Sequence, residues 1–475
     1  MTAKEIGMLK EALRLATEGR EQSDLDLFEE LRIPSVSALP QHREDVRRNA
    51  SWLAERMERL GMKTSITDVP GGRHPVLQAD LVVNPSAPTL TIYGHYDVQP
   101  ADPVDQWISP PFEPTVRDGR VFARGAADNK GNHMAALKAV EYCRAAGGPP
   151  INVRFLIEGE EEITGEALGH YVRENADRLR TDWVLVWDGG FTTEGNPALT
   201  VGLRGILYVE LEAVGPGVDL HSGVYGGVAP NPLNSLAHVI SALKERDGRI
   251  TIPGFYDRVR PPADEELNQW QRPPEYAETI KRLMQSSTLE GEAEYAPLLR
   301  QWVRPTLDVH GLIGGFTGEG VKTVIPSRGM AKLSMRLVPD QDPMEILSNL
   351  TEYVEALATP GVKIRVRQLG ATRPVLCGAD HAAAAAAIKA FEAAFGRRPQ
   401  LVRSGGSIPV AIDLQEALNA PMVVSGLPEA DSAPHSPNER YSLDHYHRGI
   451  EMLIHFIYAL PSDAHDAGSR NTKGS

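Results

Sequence analysis

The sequence is poor in cysteine. Its 475 residues include two cysteines, Cys143 and Cys377. Two widely separated cysteines fit neither a disulfide framework nor a zinc knuckle, and a chain of this length can bury a core without disulfides. We therefore predict two inert, buried thiols. Such thiols suit a reducing compartment, and we predict a cytoplasmic location.

Excess positive charge and long apolar runs are also missing. The formal net charge is −14 at pH 7, which argues against nucleic acid as a partner because phosphate binding needs clustered Lys and Arg. No stretch approaches about 18 uncharged apolar residues, so we expect no membrane partner. The amino-terminal segment is interrupted by charges and predicts an amphipathic helix rather than a signal peptide. Residues 463–475 are predicted to be a disordered tail.

What the sequence does contain is an alternation of short apolar runs with amphipathic segments. Four runs predict buried strands, at Thr89–Tyr93, Val153–Ile157, Trp183–Val186 and Pro421–Ser425. Four segments predict helices, at Asp45–Leu60, Lys130–Ala146, Ala382–Phe395 and Tyr446–Leu460. This alternation predicts the α/β class, with a sheet sandwiched between helices.

The pattern of apolar and polar residues changes near Gly202. Ile206–Val214 and Met330–Val338 alternate apolar and polar residues, as half-exposed antiparallel strands do. Helices are predicted at Pro232–Arg246 and Pro343–Leu357. We therefore predict an α/β domain in two parts, residues 1–201 and 371–462, that is interrupted by an α+β insert at residues 202–370. The charge-rich stretch 260–304 is expected to decorate the insert.

Polar residues that can bind metals cluster where the predicted strands end. The ends of open α/β strands are where ligands bind, so this placement is informative. The first strand leads into His95 and Asp97, and Asp128 precedes a helix. The remaining candidates follow the other three strands, at 158–162, Asp188 and His435.

Each of these residues alone has a simpler explanation. Asp128 could cap the helix that begins near Lys130, the acidic run 158–162 could be a solvated turn, and Asp188 with Gly189 is a common turn dipeptide. Their coincidence at four strand ends weakens that account. Adjacent carboxylates repel one another unless a cation neutralises them. The pattern therefore predicts a cation site.

Known chemistry indicates what such a site could do. Two divalent ions about 3.5–4 Å apart can hold an attacking hydroxide and polarise a carbonyl together. The pair needs one bridging carboxylate and, for each ion, a His and a further carboxylate, a nitrogen and oxygen set that suits Zn²⁺. A free carboxylate then passes the proton of the water to the leaving amine. This combination predicts a hydrolase that cleaves amide bonds.

Eight short motifs, taken in order, resemble those of the M20 metallopeptidases, especially the cytosolic nonspecific dipeptidase and carnosinase branch. The motifs are GHYDVQP, GRVFARGAADNKG, EGEEEITG, HSGVYGG, KTVIP, MRLVP, GGSIP and PHSPNE. The resemblance covers nearly the whole chain. It implies two divalent metal ions, with zinc expected and manganese or cobalt as alternatives. The implied ligands are a bridging Asp128, His95 and Asp188 for one ion, and Glu162 and His435 for the other.

The same resemblance implies the catalytic roles. Glu161 would be the general base and later the acid, and Asp97 would orient the His95 imidazole. The register within 160–162 stays open, because three consecutive glutamates permit a shift by one residue. The resemblance also implies a cis peptide bond between Asp128 and Asn129.

For the insert, the resemblance implies a lid that also forms the interface of a homodimer. His221 would reach the active site of the partner subunit and stabilise the oxyanion. Arg336 and Thr323 would hold the terminal carboxylate of the substrate, and Ser407 with Gly406 would complete that subsite.

The leading hypothesis is thus a metal-dependent dipeptidase or carboxypeptidase that acts on dipeptides or short peptides. An N-acyl amino acid deacylase would use the same metal site and is the alternative. A catalytically silent binding module on the same scaffold is the third possibility. Retention of all five ligands and the candidate base argues against it.

Overall fold

In a computed structural model, the chain is described over residues 1–163, 166–262, 264–273, 275–404 and 409–462. Contacts divide it into two compact units. The first unit comprises Met1–Val201, Cys377–Leu401 and Pro409–Ser475, and the second comprises Gly202–Leu376 and Val402–Ile408. The predicted disordered tail, 463–475, lies outside the described residues.

In the described part of the chain, the helices are α1 (Ala3–Glu18), α2 (Arg20–Leu31), α3 (Arg43–Arg59), α4 (Lys130–Ala145), α5 (Glu166–Glu174), α6 (Ser222–Tyr225), α7 (Pro232–Ala242), α8 (Asp264–Gln269), α9 (Glu275–Leu283), α10 (Pro297–Trp302), α11 (Pro343–Leu357), α12 (Ala382–Phe395), α13 (Pro409–Leu418) and α14 (Leu443–Ala459). None of them combines the length and the apolar character needed to cross a membrane.

The strands are β1 (Lys63–Thr67), β2 (Val76–Leu81), β3 (Thr89–His95), β4 (Thr115–Arg117), β5 (Arg120–Phe122), β6 (Asn152–Glu158), β7 (Trp183–Trp187), β8 (Ala198–Leu203), β9 (Gly205–Val214), β10 (Leu220–His221), β11 (Thr306–Gly314), β12 (Val324–Ile325), β13 (Arg328–Leu337), β14 (Lys363–Thr372), β15 (Val375–Leu376), β16 (Gln400–Ser404), β17 (Met422–Ser425) and β18 (Arg440–Ser442).

The main sheet of the first unit follows the order β1-β2-β6-β3-β7-β17-β8. Its centre is parallel, because β3 pairs in parallel with both β6 and β7, and β17 pairs in parallel with β7. All five residues of β7 are buried, as the continuous apolar run WVLVW predicts for a strand covered on both faces. The four predicted strands of this unit are confirmed within two residues at each end.

Helices α1, α4, α12 and α14 of the first unit pack on one another. Their apolar faces join the strands in one core, which includes Leu53, Met134, Leu185, Phe391 and Leu453. Helix α12 begins and ends where the alanine-rich pattern predicts it, and it stops at Gly396, whose φ of 67° is left-handed. The predicted α/β class is confirmed.

The second unit is built on a four-stranded antiparallel sheet in the order β11-β13-β9-β14. Burial alternates at every residue of β9, as its apolar and polar alternation predicts. Helices α7 and α11 pack beside this sheet around a separate core that includes Leu207, Leu333 and Leu350. The predicted α+β character of the insert is confirmed.

One predicted helix of the second unit is shorter than expected. Helix α7 ends at Ala242 rather than at Arg246. Lys244 instead forms an isolated antiparallel bridge with Ile250, and the backbone of Gly248 between them has a φ of 92°. The glycine allows a turn that the helical pattern alone did not reveal.

Candidate metal centre

The parallel strands bring the predicted metal ligands to one edge of the sheet. Strand β3 ends at His95, β6 ends at Glu158 and leads into the acidic turn, and Asp188 directly follows β7. These strands are neighbours in the order β6-β3-β7. The loop after β17, the next strand in the sheet, leads to His435. Residues that are far apart in the chain therefore meet where parallel strands end together.

His95, Asp128 and Asp188 form the first ligand group, with one ligand atom from each lying within 4.8 Å of the others. The Nε2 atom of His95 lies 3.0 Å from Asp128 Oδ1 and 3.6 Å from Asp188 Oδ1. On the other side of the ring, Nδ1 lies 3.1 Å from the backbone oxygen of Asp97. An Nδ1–H that donates to this oxygen leaves the Nε2 lone pair facing the carboxylates, as a metal ligand requires.

Asp128, Glu162 and His435 form the second ligand group. The Nε2 atom of His435 lies 3.0 Å from Asp128 Oδ2 and 3.2 Å from Glu162 Oε2. The two oxygens of Asp128 thus face different histidines, and this carboxylate belongs to both groups. Asp128 does not cap α4, since the residue at the cap position is Asn129. The predicted cis peptide bond between Asp128 and Asn129 is confirmed.

The three consecutive glutamates point to different neighbours. Glu160 is buried, and its Oε1 accepts hydrogen bonds from the backbone N–H groups of Arg73 and His74, the second at 2.6 Å. Glu161 and Glu162, in contrast, share a ligand group with His95.

Asp97 holds the turn that presents these glutamates. Its Oδ1 accepts a hydrogen bond from the backbone N–H of Glu161 at 3.3 Å, and its Oδ2 accepts one from that of Glu162 at 3.1 Å. The Oδ1 atom also lies 3.4 Å from His95 Nδ1. Asp97 therefore contacts both the imidazole that it was predicted to orient and the acidic turn.

Burial and mutual repulsion change the acidity of the group. Burial, together with the charges of Asp188 and Glu162, raises the pKa of Glu161 to about 8. Burial also raises the pKa of Asp188 and of Glu162. Hydrogen bonds to Asp128 and Glu162 raise the pKa of His435 to about 10. Without a metal ion, the clustered carboxylates therefore favour the protonated forms of Glu161 and His435.

The donor set fits a pair of divalent cations. Asp128, Glu162 and Asp188 make their ion pairs with the two imidazoles. The second oxygen of Glu162, Oε1, is buried without a hydrogen-bond partner among the described residues. Such an oxygen costs free energy unless a donor or a cation satisfies it. Two imidazoles with oxygen ligands around a shared carboxylate suit borderline ions such as Zn²⁺.

Three further residues that the sequence analysis did not assign support these ligands. Gln99 donates from Nε2 to Glu162 Oε2 at 2.8 Å, and Asn129 donates from Nδ2 to Asp188 Oδ1 at 2.7 Å. Glu439 accepts a hydrogen bond from the backbone N–H of Asp128 at 3.0 Å. Gln99, Asn129 and Glu439 all lie inside the motifs that resemble those of the family. Membership of these motifs is the sequence feature that could have identified them as supporting residues.

The predicted substrate residues lie in the second unit. His221 ends β10 and is exposed, and its Nδ1 accepts a hydrogen bond from the backbone N–H of Gly223. Strand β10 pairs with β12, and the backbone oxygen of Thr323 accepts a hydrogen bond from Ser222 at 3.1 Å. His221 and Thr323 are therefore close together.

Arg336 lies on β13, opposite Thr306 of β11 and Ile206 of β9. Gly406 and Ser407, predicted to complete the carboxylate subsite, lie outside the described residues.

Comparisons with known proteins agree with this geometry. Residues 91–459 match the model of peptidase family M20/M25/M40. The chain is 32% identical over 441 residues to a human Beta-Ala-His dipeptidase, covering 90% of this chain and 87% of the relative. It is also 32% identical over 447 residues to a Cys-Gly metallodipeptidase of Schizosaccharomyces pombe, covering 90% of this chain and 94% of the relative.

A solved structure is similar over almost the same length. The M20 family metallo-carboxypeptidase from Sulfolobus solfataricus superposes with a TM-score of 0.80 at 33% identity, covering 92% of this chain and 98% of that chain. Sequence and fold therefore point to one family across most of the chain. The chain belongs to peptidase family M20/M25/M40 and is an M20-type metallopeptidase.

Proposed function

We propose that the chain hydrolyses the amide bond of dipeptides or short peptides at a dinuclear metal centre. The observation that carries this proposal is the position of Asp128, whose two oxygens face the imidazoles of two different ligand groups. A carboxylate shared in this way is what a pair of metal ions needs as a bridge. The relatives named as dipeptidases support a dipeptide substrate over the N-acyl amino acid alternative.

In this proposal each ion has one His and one carboxylate besides the bridge. His95 and Asp188 hold one ion, and Glu162 and His435 hold the other. When bound, the ions would lower the pKa of a water molecule and polarise the scissile carbonyl. Zinc is the expected metal because a mixture of imidazole and carboxylate ligands suits this borderline ion. Manganese and cobalt are the alternatives.

Glu161 is the proposed proton carrier. Its carboxylate takes a proton from the attacking water and gives it to the nitrogen of the leaving amine. A ligand atom of Glu161 lies within 4.8 Å of ligand atoms of His95 and Glu162, so a proton acceptor lies beside the proposed metal pair. Glu160 is a poorer candidate because its carboxylate is already bonded to the backbone at Arg73 and His74. Glu162 is occupied by His435 and Gln99.

The second unit supplies the proposed substrate contacts. Arg336 and Thr323 would bind the terminal carboxylate of a peptide, since a guanidinium fork matches a carboxylate. His221 of a partner copy would stabilise the oxyanion by donating a hydrogen bond. The exposed position of His221 at the end of β10 suits a residue that acts outside its own chain.

The homodimer is proposed to form through the second unit. Strand β11 is at one edge of the four-stranded sheet. Its Leu312 and Ile313 side chains are 62% and 60% exposed, and Phe316 and Val321 beyond it are also exposed. An exposed edge strand with apolar side chains favours pairing with another chain.

The test is release of free amino acids from a panel of dipeptides and a panel of N-acetyl amino acids. Protein stripped with a chelator is restored separately with Zn²⁺, Mn²⁺ or Co²⁺. We expect metal-dependent cleavage of dipeptides. A preference for the acylated panel would make the chain a deacylase. Metal binding without turnover on either panel would contradict the proposed activity.

A further inference from the structure

Glu439 lies beside the loop that carries the shared ligand Asp128. It immediately precedes β18, which pairs antiparallel with β5 so that Arg440 lies opposite Phe122. The backbone oxygen of Glu439 accepts a hydrogen bond from the N–H of Ala123 at 3.2 Å. This register directs the Glu439 side chain toward 124–128, the segment that follows β5.

The Glu439 carboxylate accepts four hydrogen bonds from that segment. Its Oε2 accepts from Arg124 Nη1 at 2.7 Å and from the backbone N–H of Gly125 at 2.9 Å. Its Oε1 accepts from the backbone N–H groups of Ala127 at 2.8 Å and Asp128 at 3.0 Å. The Glu439 and Arg124 side chains are 0% and 1% exposed.

Only a carboxylate can make this set of bonds. Each oxygen accepts two donors, and a glutamine amide has a single accepting oxygen and an NH₂ group that would face two N–H donors. The loss of the Oε1 pair would leave two backbone N–H groups without this partner, and the loss of the Oε2 pair would leave one backbone N–H and the Arg124 guanidinium without it. Glu439 therefore determines the path of the backbone that ends at Asp128.

The segment that contains Glu439 also contains His435, a member of the second ligand group. His435 lies four residues earlier, and its Nε2 is 3.0 Å from Asp128 Oδ2. Between them, Asn438 accepts a hydrogen bond from the backbone N–H of Ile108 and donates one to the backbone oxygen of Gln106, at 2.8 and 2.9 Å. Residues 435–439 therefore carry the proposed ligand His435, and through Glu439 they are hydrogen-bonded to the loop that carries Asp128.

We propose that Glu439 is a positioning residue for the metal pair, which fixes Asp128 relative to His435 without touching a metal ion itself. This inference rests on the proposed metal centre. Groups that orient metal ligands typically change metal affinity or activity by about 10- to 100-fold when they are removed. A purely structural role, as the counter-charge of Arg124, would instead affect the metal-free and metal-loaded proteins equally.

The experiment compares E439Q with D431N. Asp431 is a matched control because it lies eight positions before Glu439 in the loop between β17 and β18. It forms ion pairs with Arg120 of β5 and Arg440 of β18, the two strands that position Glu439. Metal-stripped protein is titrated with Co²⁺, and the visible absorption reports affinity, stoichiometry and ligand geometry. We expect E439Q to lose about 10- to 100-fold in Co²⁺ affinity with a changed spectrum, and D431N to match the wild type.

A second readout separates positioning from stability. The melting temperature is measured in chelator and with metal, and we expect E439Q to reduce the increase that metal produces. An equal decrease in both conditions, with unchanged affinity and spectrum, would overturn this inference and leave the proposed function intact. A wild-type protein that binds no metal would overturn both.

A variant that keeps the carboxylate guards against misfolding of E439Q. Glu439→Asp keeps the negative charge beside Arg124 and shortens the side chain by one methylene group, so its carboxylate cannot reach all four donors at their present distances. We expect a smaller loss of Co²⁺ affinity in the same direction as that of E439Q. Unchanged affinity in this variant, with E439Q not recovered as folded protein, would also count against the inference.

Discussion

At the scale of single residues, Glu160 and Glu161 are neighbours in the chain with different surroundings. Glu160 accepts two backbone hydrogen bonds through one oxygen, Oε1. Glu161 lies among His95, Asp188 and Glu162, whose charges affect its pKa. An amide oxygen can replace Oε1 of Glu160, whereas an amide cannot carry a proton in place of the Glu161 carboxylate.

We therefore expect Glu161→Gln to bind metal like the wild type and to lose about 100- to 10,000-fold in kcat, the range of a general acid–base contribution. Glu160→Gln is the matched control, and we expect it to keep most of its activity. The measurement is kcat on a cleaved dipeptide, with metal content determined for each variant. The reverse pattern would move the base to Glu160.

Metal binding is expected to release protons. Without metal, the pKa of His435 is raised to about 10 by its hydrogen bonds to Asp128 and Glu162, so its imidazole is protonated at neutral pH. A ligating imidazole must lose that proton, and metal affinity should therefore increase as the pH rises from about 6 toward about 9. Calorimetric titration in buffers of different ionisation enthalpy measures the released protons. Affinity that does not depend on pH in this range would contradict the assignment of His435 as a ligand.

At the scale of elements, local patterns predicted the first unit well. Strands such as β3 and β7 are continuous apolar runs, and the segment that forms α12 is rich in alanine, so propensity and pattern agree. The patterns were weaker where a turn depends on one backbone conformation, as at Gly248. Glu439 was part of a quoted motif without a role, because its four bonds exist only after β18 pairs with β5.

The exposed edge strand β11 is the proposed dimer interface. We expect Ile313→Asp to convert a dimer into a monomer, because a charge on an apolar edge opposes burial against another chain. Val82→Asp is the matched control, since Val82 in the first unit has the same 60% exposure. Sedimentation velocity measures the mass of each variant. A dimer that survives in Ile313→Asp would exclude this edge as the interface.

At the scale of the whole molecule, all five candidate metal ligands lie in the first unit. Ligands that bind only the folded state stabilise it, and ligation restrains the segments that carry the ligands. We expect metal to increase hydrogen-exchange protection around 124–128 and 434–439. Protection within the β11-β13-β9-β14 sheet of the second unit should change much less. Mass spectrometry of exchanged peptides checks this expectation, and an equal change in both regions would contradict it.

The sequence by itself determined the α/β class, the α+β insert, the family and the identity of the candidate ligands. It could do so because apolar periodicity and residue chemistry are local properties, and because the motifs keep a fixed order. The tertiary structure decided how these residues meet. The parallel strands β6, β3 and β7 end together, so their terminal residues share one edge. The bonds of Glu160 and Glu439 join segments that are distant in the chain, and only the folded backbone specifies which N–H groups they reach.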